Sequence, residues 1–296
     1  MLDGDKVTTF SPFQSLSLGG RLLPLDPPVV MGILNLTPDS FYDGGSYPDE
    51  ASRIQQVGRM LQEGAAIIDL GAMSTRPGAP EISEAEELAR LLPMLRKLVE
   101  HFPGICISVD TYRARVAEKA LAEGAMMVND ISGGTFDPEM IPFIAGARVP
   151  YVLMHIQGKP RSMQEAPQYQ DVVTEVMQHF GHRLGELFRR GATDVVLDPG
   201  FGFGKDIVHN YSLLRSLPLL TSLGLPVMAG VSRKSMINKV LGTTPSTALN
   251  GSTAVHMLAL MGGASLLRVH DVKEAMEAIR IFQAYRGHFP GPAAGE

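Results

Sequence analysis

Read for the alternation of apolar and polar positions, the chain divides into short hydrophobic runs separated by longer amphipathic stretches. The runs are Val29 to Leu34, Ala66 to Leu70, Ile105 to Val109, Met126 to Val128, Tyr151 to Met154, Val195 to Leu197, Val227 to Val231 and Ser265 to Val269, eight in all. Each is brief and nearly continuous in apolar character, as parallel strands covered on both faces are. Between them, Glu50 to Glu63 sets Ile54, Val57 and Leu61 near helical spacing, and Ser83 to Glu100 opens with Ser83 and Glu86 at capping-box spacing. Ala114 to Glu123, Asp171 to Arg190, Thr247 to Met261 and Asp271 to Tyr285 have the same character. Gly64, Gly124 and Gly191 each follow one of these helices, where a residue at positive φ ends the element, and each is followed by Ala and another strand.

Eight strands, each followed by a helix, predict an α/β fold made of a single (β/α)8 TIM barrel over residues 29–286. A doubly wound sheet competes, but its glycine-rich first turn is replaced here by Asn35-Leu36-Thr37-Pro38-Asp39. Residues 1–28 form an N-terminal extension. In it, Ser15 to Leu18 and Leu22 to Leu25 flank Gly19-Gly20-Arg21, a small hairpin expected to plug the barrel bottom. Residues 287–296, rich in Gly, Pro and Ala, are expected to be a flexible tail.

Composition adds constraints. Of the 296 residues, 45% are hydrophobic, so a large core is available and disulfides are not needed. The one cysteine, Cys106, lies in Ile105-Cys106-Ile107 and reads as a small buried hydrophobe. No Cys/His grouping suggests zinc. A net charge of −5 gives no reason to expect nucleic acid, while leaving phosphorylated small molecules open. The chain opens without a basic-then-apolar leader and has no apolar run near the roughly 20 residues that span a bilayer. No membrane contact and a cytoplasmic location are expected.

Catalytic side chains of such barrels stand at the C-terminal ends of strands. The first run leads into a long polar loop that offers Asn35 as an oxygen ligand and Phe41 as an apolar cover; surface turn residues are the plain alternative. After the second comes Ser74-Thr75-Arg76-Pro77-Gly78, where Pro77 biases Arg76 toward an extended backbone suited to gripping phosphate. Asp110, Asn129-Asp130 and Asp198 end three further runs. A lone Asp there is usually a helix cap, but three such ends at one mouth suit a row of donors along the edge of a flat heterocycle. Met154 could pack on a flat heterocycle or simply fill core, and Lys234 could donate to a ring atom. Arg268 and His270 alternate, so both can face one side, where the last two loops of such barrels often bind phosphate. His101, His179, His182, His209 and His256 show no supporting pattern and are read as structural or solvated.

Together these motifs resemble the dihydropteroate synthase family. The matching stretches are GILNLTPDSFYDGG (Gly32 to Gly45), STRPGA (Ser74 to Ala79), SVDT (Ser108 to Thr111), NDIS (Asn129 to Ser132), LMHIQG (Leu153 to Gly158), LDPGFGFGK (Leu197 to Lys205), SRKSMI (Ser232 to Ile237) and RVHDV (Arg268 to Val272). The resemblance implies condensation of (7,8-dihydropterin-6-yl)methyl diphosphate with 4-aminobenzoate, giving 7,8-dihydropteroate and diphosphate in folate synthesis. It implies that Asp110, Asn129, Asp198 and Lys234 hold the pterin with Met154 nearby, and that Asn35 ligates Mg²⁺ on the diphosphate. Arg76, Arg268 and His270 would contact the phosphates. Thr75, Pro77, Phe203 and Ser235 would line the aminobenzoate site, with Phe41 and Asp43 on a closing loop. It further implies a homodimer. One departure stands out: many members carry Gly-Glu where this chain has Ala72-Met73.

An arylamine is neutral at pH 7 and needs no general base, so the difficulty is C–O cleavage. A dissociative substitution is expected, with Mg²⁺, Arg76, Arg268 and His270 stabilising the departing diphosphate. Asp110 would offset charge spread over the ring, and loop closure would exclude water. Replacing Arg268 with Ala should slow turnover greatly and leave the pterin pocket formed. Two alternatives stay open: a methyltransferase with a methyltetrahydrofolate-binding barrel, against which the two phosphate motifs argue, and a pterin-binding paralogue without synthase activity.

Overall fold

The computed structural model describes residues 14–37, 50–75, 78–165 and 167–289. The expected closing loop with Phe41 and Asp43, the pair Arg76 and Pro77, and positions 290–296 of the tail lie outside the described residues. Eight parallel strands form the barrel: β3 (Val29–Asn35), β4 (Ala65–Gly71), β5 (Ile107–Asp110), β6 (Met127–Asp130), β7 (Tyr151–Met154), β8 (Val195–Asp198), β9 (Met228–Ala229) and β10 (Leu266–Val269). Each of β3 to β7 pairs with the next, β10 joins β3 to β9, and a bridge between Leu197 of β8 and Val227 closes the ring. The expected TIM barrel is observed.

Six expected helices are present: α1 (Glu50–Glu63), α2 (Glu84–His101), α3 (Ala114–Ala122), α5 (Val172–Arg189), α9 (Leu249–Met261) and α10 (Val272–Tyr285). Four were not legible: α4 (Met140–Ala147), α6 (Ile207–Arg215), α7 (Leu217–Thr221) and α8 (Ser235–Leu241). The reason is physical. In α4 nearly every residue is apolar, so no 3.6-residue stripe appears, and Pro142 reads as a breaker. Helices α7 and α8 span under two turns. Ser83 caps α2 by accepting from the Glu86 amide at 3.2 Å, but Glu86 turns to Arg90 rather than back to the cap, so only half of the capping box forms. The three helix-ending glycines sit at φ +108° (Gly64), +104° (Gly124) and +92° (Gly191).

Side-chain alternation sorts the barrel into two environments. Outward positions such as Val30, Ile68, Val109, Val128, Leu153 and Leu267 pack against the helices through Leu91, Leu95, Val116, Phe180 and Ile279. The lower inward positions, Met31, Ile67, Met127, Val152, Val196, Met228 and Leu266, form a separate apolar layer. An antiparallel hairpin, β1 (Ser15–Leu18) and β2 (Arg21–Pro24), closes that end, with Leu16, Leu18 and Leu25 buried against the layer. Cys106 corrects the sequence reading. It precedes β5 rather than lying within it, and it is half-buried against the lower apolar layer. Burial still raises its thiol pKa, with Arg21 opposing, so it is a poor nucleophile.

Candidate active site

At the upper, C-terminal ends the inward positions turn polar. Register sets them side by side, with Asn35 opposite Gly71, Gly71 opposite Asp110, Asp110 opposite Asn129, and Met154 opposite Asp198. Two glycines keep this floor open. A Cβ on Gly71 would lie 3.5 Å from Asn35 Oδ1 and 3.7 Å from Asp110 Oδ2. A Cβ on Gly230 would lie 3.8 Å from both Asp198 Oδ2 and Lys234 Nζ, and 4.0 Å from Arg268 Cβ. Asn35, Asp110, Asn129, Asp198, Lys234 and Arg268, expected from sequence to act together, therefore share one mouth.

Arg268 lies at the centre. Its Nη2 donates to Asp110 Oδ2 at 2.8 Å and its Nε to Asp69 Oδ2 at 2.7 Å. Asp69, which the sequence reading missed, also accepts from Asn129 Nδ2 at 2.9 Å and is wholly buried. The available signal was a lone carboxylate inside Ile67-Ile68-Asp69-Leu70, since a charge there must be paired. Burial raises the Asp110 pKa, Arg268 pulls it back and Asp69 pushes it up again, leaving it at about 7. Burial, opposed by Lys234, raises that of Asp198. Burial lowers that of Lys234 to about 8, opposed by Asp198.

Asp130, adjacent in sequence to Asn129, is not a ligand candidate. It faces outward and accepts from the amides of Ser132 (2.7 Å) and Gly134 (2.8 Å) and from the Tyr151 hydroxyl (2.7 Å), a structural staple for its loop. The residues after Asp110 are fixed by a buried helix carboxylate: Glu87 accepts from Thr111 Oγ1 at 2.7 Å and pairs with Arg113.

The loop after β8 is clamped by a second buried cation. Lys205 Nζ lies 3.0 Å from His155 Nδ1, 3.1 Å from His155 O and 3.0 Å from Phe203 O. Burial lowers its pKa to about 7, while three acceptors at hydrogen-bond distance favour the ammonium. Gly200 is required where the loop crosses β7: its φ is +71° and a Cβ would stand 1.9 Å from His155 O. The clamp presents Phe203, half-buried with Met154, beneath the Lys234 ammonium 4.7 Å from its ring centroid. Lys234 also donates to Phe201 O.

The last two loops are welded together. Arg233, at φ +58°, donates Nε and Nη2 to the two oxygens of Asp271 at 2.8 and 2.6 Å. Ser232 Oγ accepts from the His270 amide and lies 3.2 Å from His270 Nδ1. His270 itself stands exposed at the rim. Ser235 is exposed at the start of α8, and Thr75 is half-buried on the second loop. That loop begins at Ala72, whose carbonyl accepts from Arg90 at 3.4 Å, and at Met73, buried against Tyr112, Ile131 and Met154. An apolar side chain, Met73, thus packs the loop base, where the resemblance led to the expectation of a carboxylate. Beside it opens a cavity of ≈ 350 Å³ lined by Met73, Ser74, Tyr112, Phe136 and Lys159 among others. This cavity flanks the second loop and does not include the acid–amide floor, where the strand ends put the chemistry.

Residues 31–270 match the pterin binding enzyme family. A dihydropteroate synthase of Escherichia coli K12 is 44% identical over 267 residues, covering 90% of this chain and 94% of its own. The Yersinia pestis dihydropteroate synthase, solved with a sulfonamide drug, superposes with a TM-score of 0.87 at 43% identity, covering 93% of this chain and 100% of its own. A Xanthomonas albilineans dihydropteroate synthase, solved with 4-aminobenzoic acid, gives 0.86 at 42% identity, covering 93% and 98%. Such likeness, spread over all the strand ends that carry the polar floor, makes the chain a member of the pterin-binding enzyme family, among its dihydropteroate synthases.

Proposed function

We infer that the chain transfers the pterinylmethyl group of (7,8-dihydropterin-6-yl)methyl diphosphate to 4-aminobenzoate, releasing diphosphate. One observation carries this reading: two carboxylates, an amide and two cations from separate strand ends converge on one floor. Acceptors Asp110, Asn129 and Asp198 suit the amino and ring N–H groups of a pterin, and Lys234 suits its carbonyl oxygen. Met154 and Phe203 form the apolar side of the slot. Phe203, with Thr75, Pro77 and Ser235, would line the aminobenzoate site.

The bond to break joins the methylene carbon to the diphosphate oxygen. The ring donates electrons as that bond lengthens, the amine nitrogen then forms the new C–N bond, and its proton leaves to solvent. Arg268 would hold positive charge toward the departing diphosphate, and Asp110, its hydrogen-bond partner, would offset the positive charge the ring accumulates. His270 and Arg76 would meet the departing phosphates. Closure of the loop carrying Phe41 and Asp43 would keep water from the carbon. Mg²⁺ fits this floor in one respect: Asn35 Oδ1 faces the space over Gly71, a hard oxygen ligand next to where a diphosphate would lie. No group of three or more His, Cys, Asp or Glu that could hold a metal by themselves occurs among the described residues, so the remaining ligands would be diphosphate oxygens and water. Bound there, the ion would supply charge to the leaving group.

A homodimer is supported by an exposed apolar face on two adjacent helices, Leu258 and Met261 of α9 with Ile281 and Tyr285 of α10. A cytoplasmic location suits the unpaired Cys106; no described helix is long and apolar enough to cross a membrane. Diphosphate release should require both substrates and Mg²⁺. Release that ignores aminobenzoate, or tight pterin binding without product, would reject the synthase reading.

A further inference from the structure

We propose that Asp69 is a positioning residue for pterin recognition, using one buried carboxylate oxygen to orient Asn129 and to hold Arg268 against Asp110. Two donors from β6 and β10 meet at Asp69 Oδ2, Asn129 Nδ2 at 2.9 Å and Arg268 Nε at 2.7 Å. A carboxylate can only accept, so the amide must turn its NH₂ group toward Asp69. Its carbonyl oxygen then faces away, as a fixed acceptor. Without Asp69 the amide could present either end, and a ring donor would no longer be told from a ring acceptor. Arg268 is treated likewise: bonds to Asp69 and Asp110 fix the plane of its guanidinium, and Nη1 makes no bond among the described residues.

The fold alone does not explain the carboxylate. Asp69 is 0% exposed, and its Oδ1 has no hydrogen-bond partner among the described residues. A buried acceptor left unpaired disfavours folding, so an apolar side chain of similar shape would serve the barrel core better. Asp69 also lies one inward step deeper on β4 than Gly71, wholly buried behind the Asn129 amide and the Arg268 guanidinium that it holds. It acts through Asn129 and Arg268.

This inference rests on the proposed pterin reaction, and wild-type turnover with both substrates tests that reading separately. A double-mutant cycle on Asp69→Asn and Asn129→Ala tests the inference. Each single variant should lower kcat/KM for the pterin diphosphate by about tenfold or more, with KM for aminobenzoate moving less than about twofold. The double variant should be little worse than the poorer single one, because the two residues act as a unit. Multiplying losses, or equal damage to both substrates' KM, would leave Asp69 a plain structural residue and overturn the proposal. Should Asp69→Asn fail to fold, Asp69→Glu keeps the charge and displaces the oxygen; normal pterin kinetics in that variant would also overturn it.

Discussion

The two ends of the barrel share eight strands and differ in almost everything else. At the lower end, inward side chains are Met31, Ile67, Met127, Val152 and Leu266, and a hairpin seals them with Leu16 and Leu18. One inward step up the same strands stand Ile33, Asp69, Asn129, Met154 and Arg268, and the charged groups among them carry one another's hydrogen bonds. The first end obtains its order from shape and dryness. The second obtains it from a carboxylate–guanidinium–carboxylate chain whose members are individually costly to bury. Substitutions at the lower end should therefore cost stability and spare chemistry, whereas those at the upper end should cost chemistry first.

The largest effect should come from Arg268→Ala. It removes the cation beside the leaving group, and kcat/KM should fall by about 10²–10³ or more. Because Asp69 and Asp110 would lose their shared partner, the pocket would not be left intact as the sequence alone suggests, and this substitution should also weaken pterin binding. An equal loss of turnover with unchanged pterin affinity would mean that Arg268 serves only the phosphates. At the opposite end, Leu18→Ala should cost about 2–4 kcal/mol, read as a lower urea midpoint at unchanged slope, while kcat per folded molecule stays at the wild-type level. A large drop in kcat there would show that the plug is coupled to the mouth.

Smaller effects probe the floor itself. Gly230→Ala would place a methyl group 3.8 Å from Asp198 Oδ2 and Lys234 Nζ, in ordinary contact with both but in the space left for a ligand. A rise of about three- to tenfold in KM for the pterin diphosphate, without loss of stability, is expected for a methyl group in a binding slot. The smallest effect is on pH dependence. Lys234 has a pKa lowered to about 8, faced by Asp198, Arg268 and Asp110. It is protonated below that pH and loses its proton above it, so kcat/KM for the pterin substrate should fall as pH rises through about 8. Lys234→Arg should remove that limb; a limb that persists belongs to another group.

Legibility in the sequence follows the same division. Short, nearly continuous apolar runs mark strands covered on both faces and a 3.6-residue stripe marks a half-buried helix, so every barrel strand and six helices could be read from them, and the hairpin from its glycine turn. Helix α4 escaped because its residues are apolar on every side, so no polar face marks the stripe of Met140, Ile141, Ile144 and Ala145 that it buries. At the mouth, Asp110, Asn129, Asp198, Lys234 and Arg268 were legible because each follows or ends an apolar run. Asp69, Glu87 and Lys205 were not. They lie inside a strand, on a helix and at a loop end, and only tertiary contact shows that each one supports a ligand-facing neighbour. Asp130 shows the converse: its place at a strand end resembled that of Asn129, and parity along the strand turned it outward.

A crystal structure with the pterin diphosphate bound would test whether this polar floor is the recognition surface. The ring should lie between Asn129, Asp198 and Lys234, its edge donors on the two acceptors and its diphosphate toward Arg268 and His270. A ring seated instead in the cavity beside Met73, Tyr112 and Phe136, with Asp198 and Asn129 untouched, would contradict the proposed mode of binding.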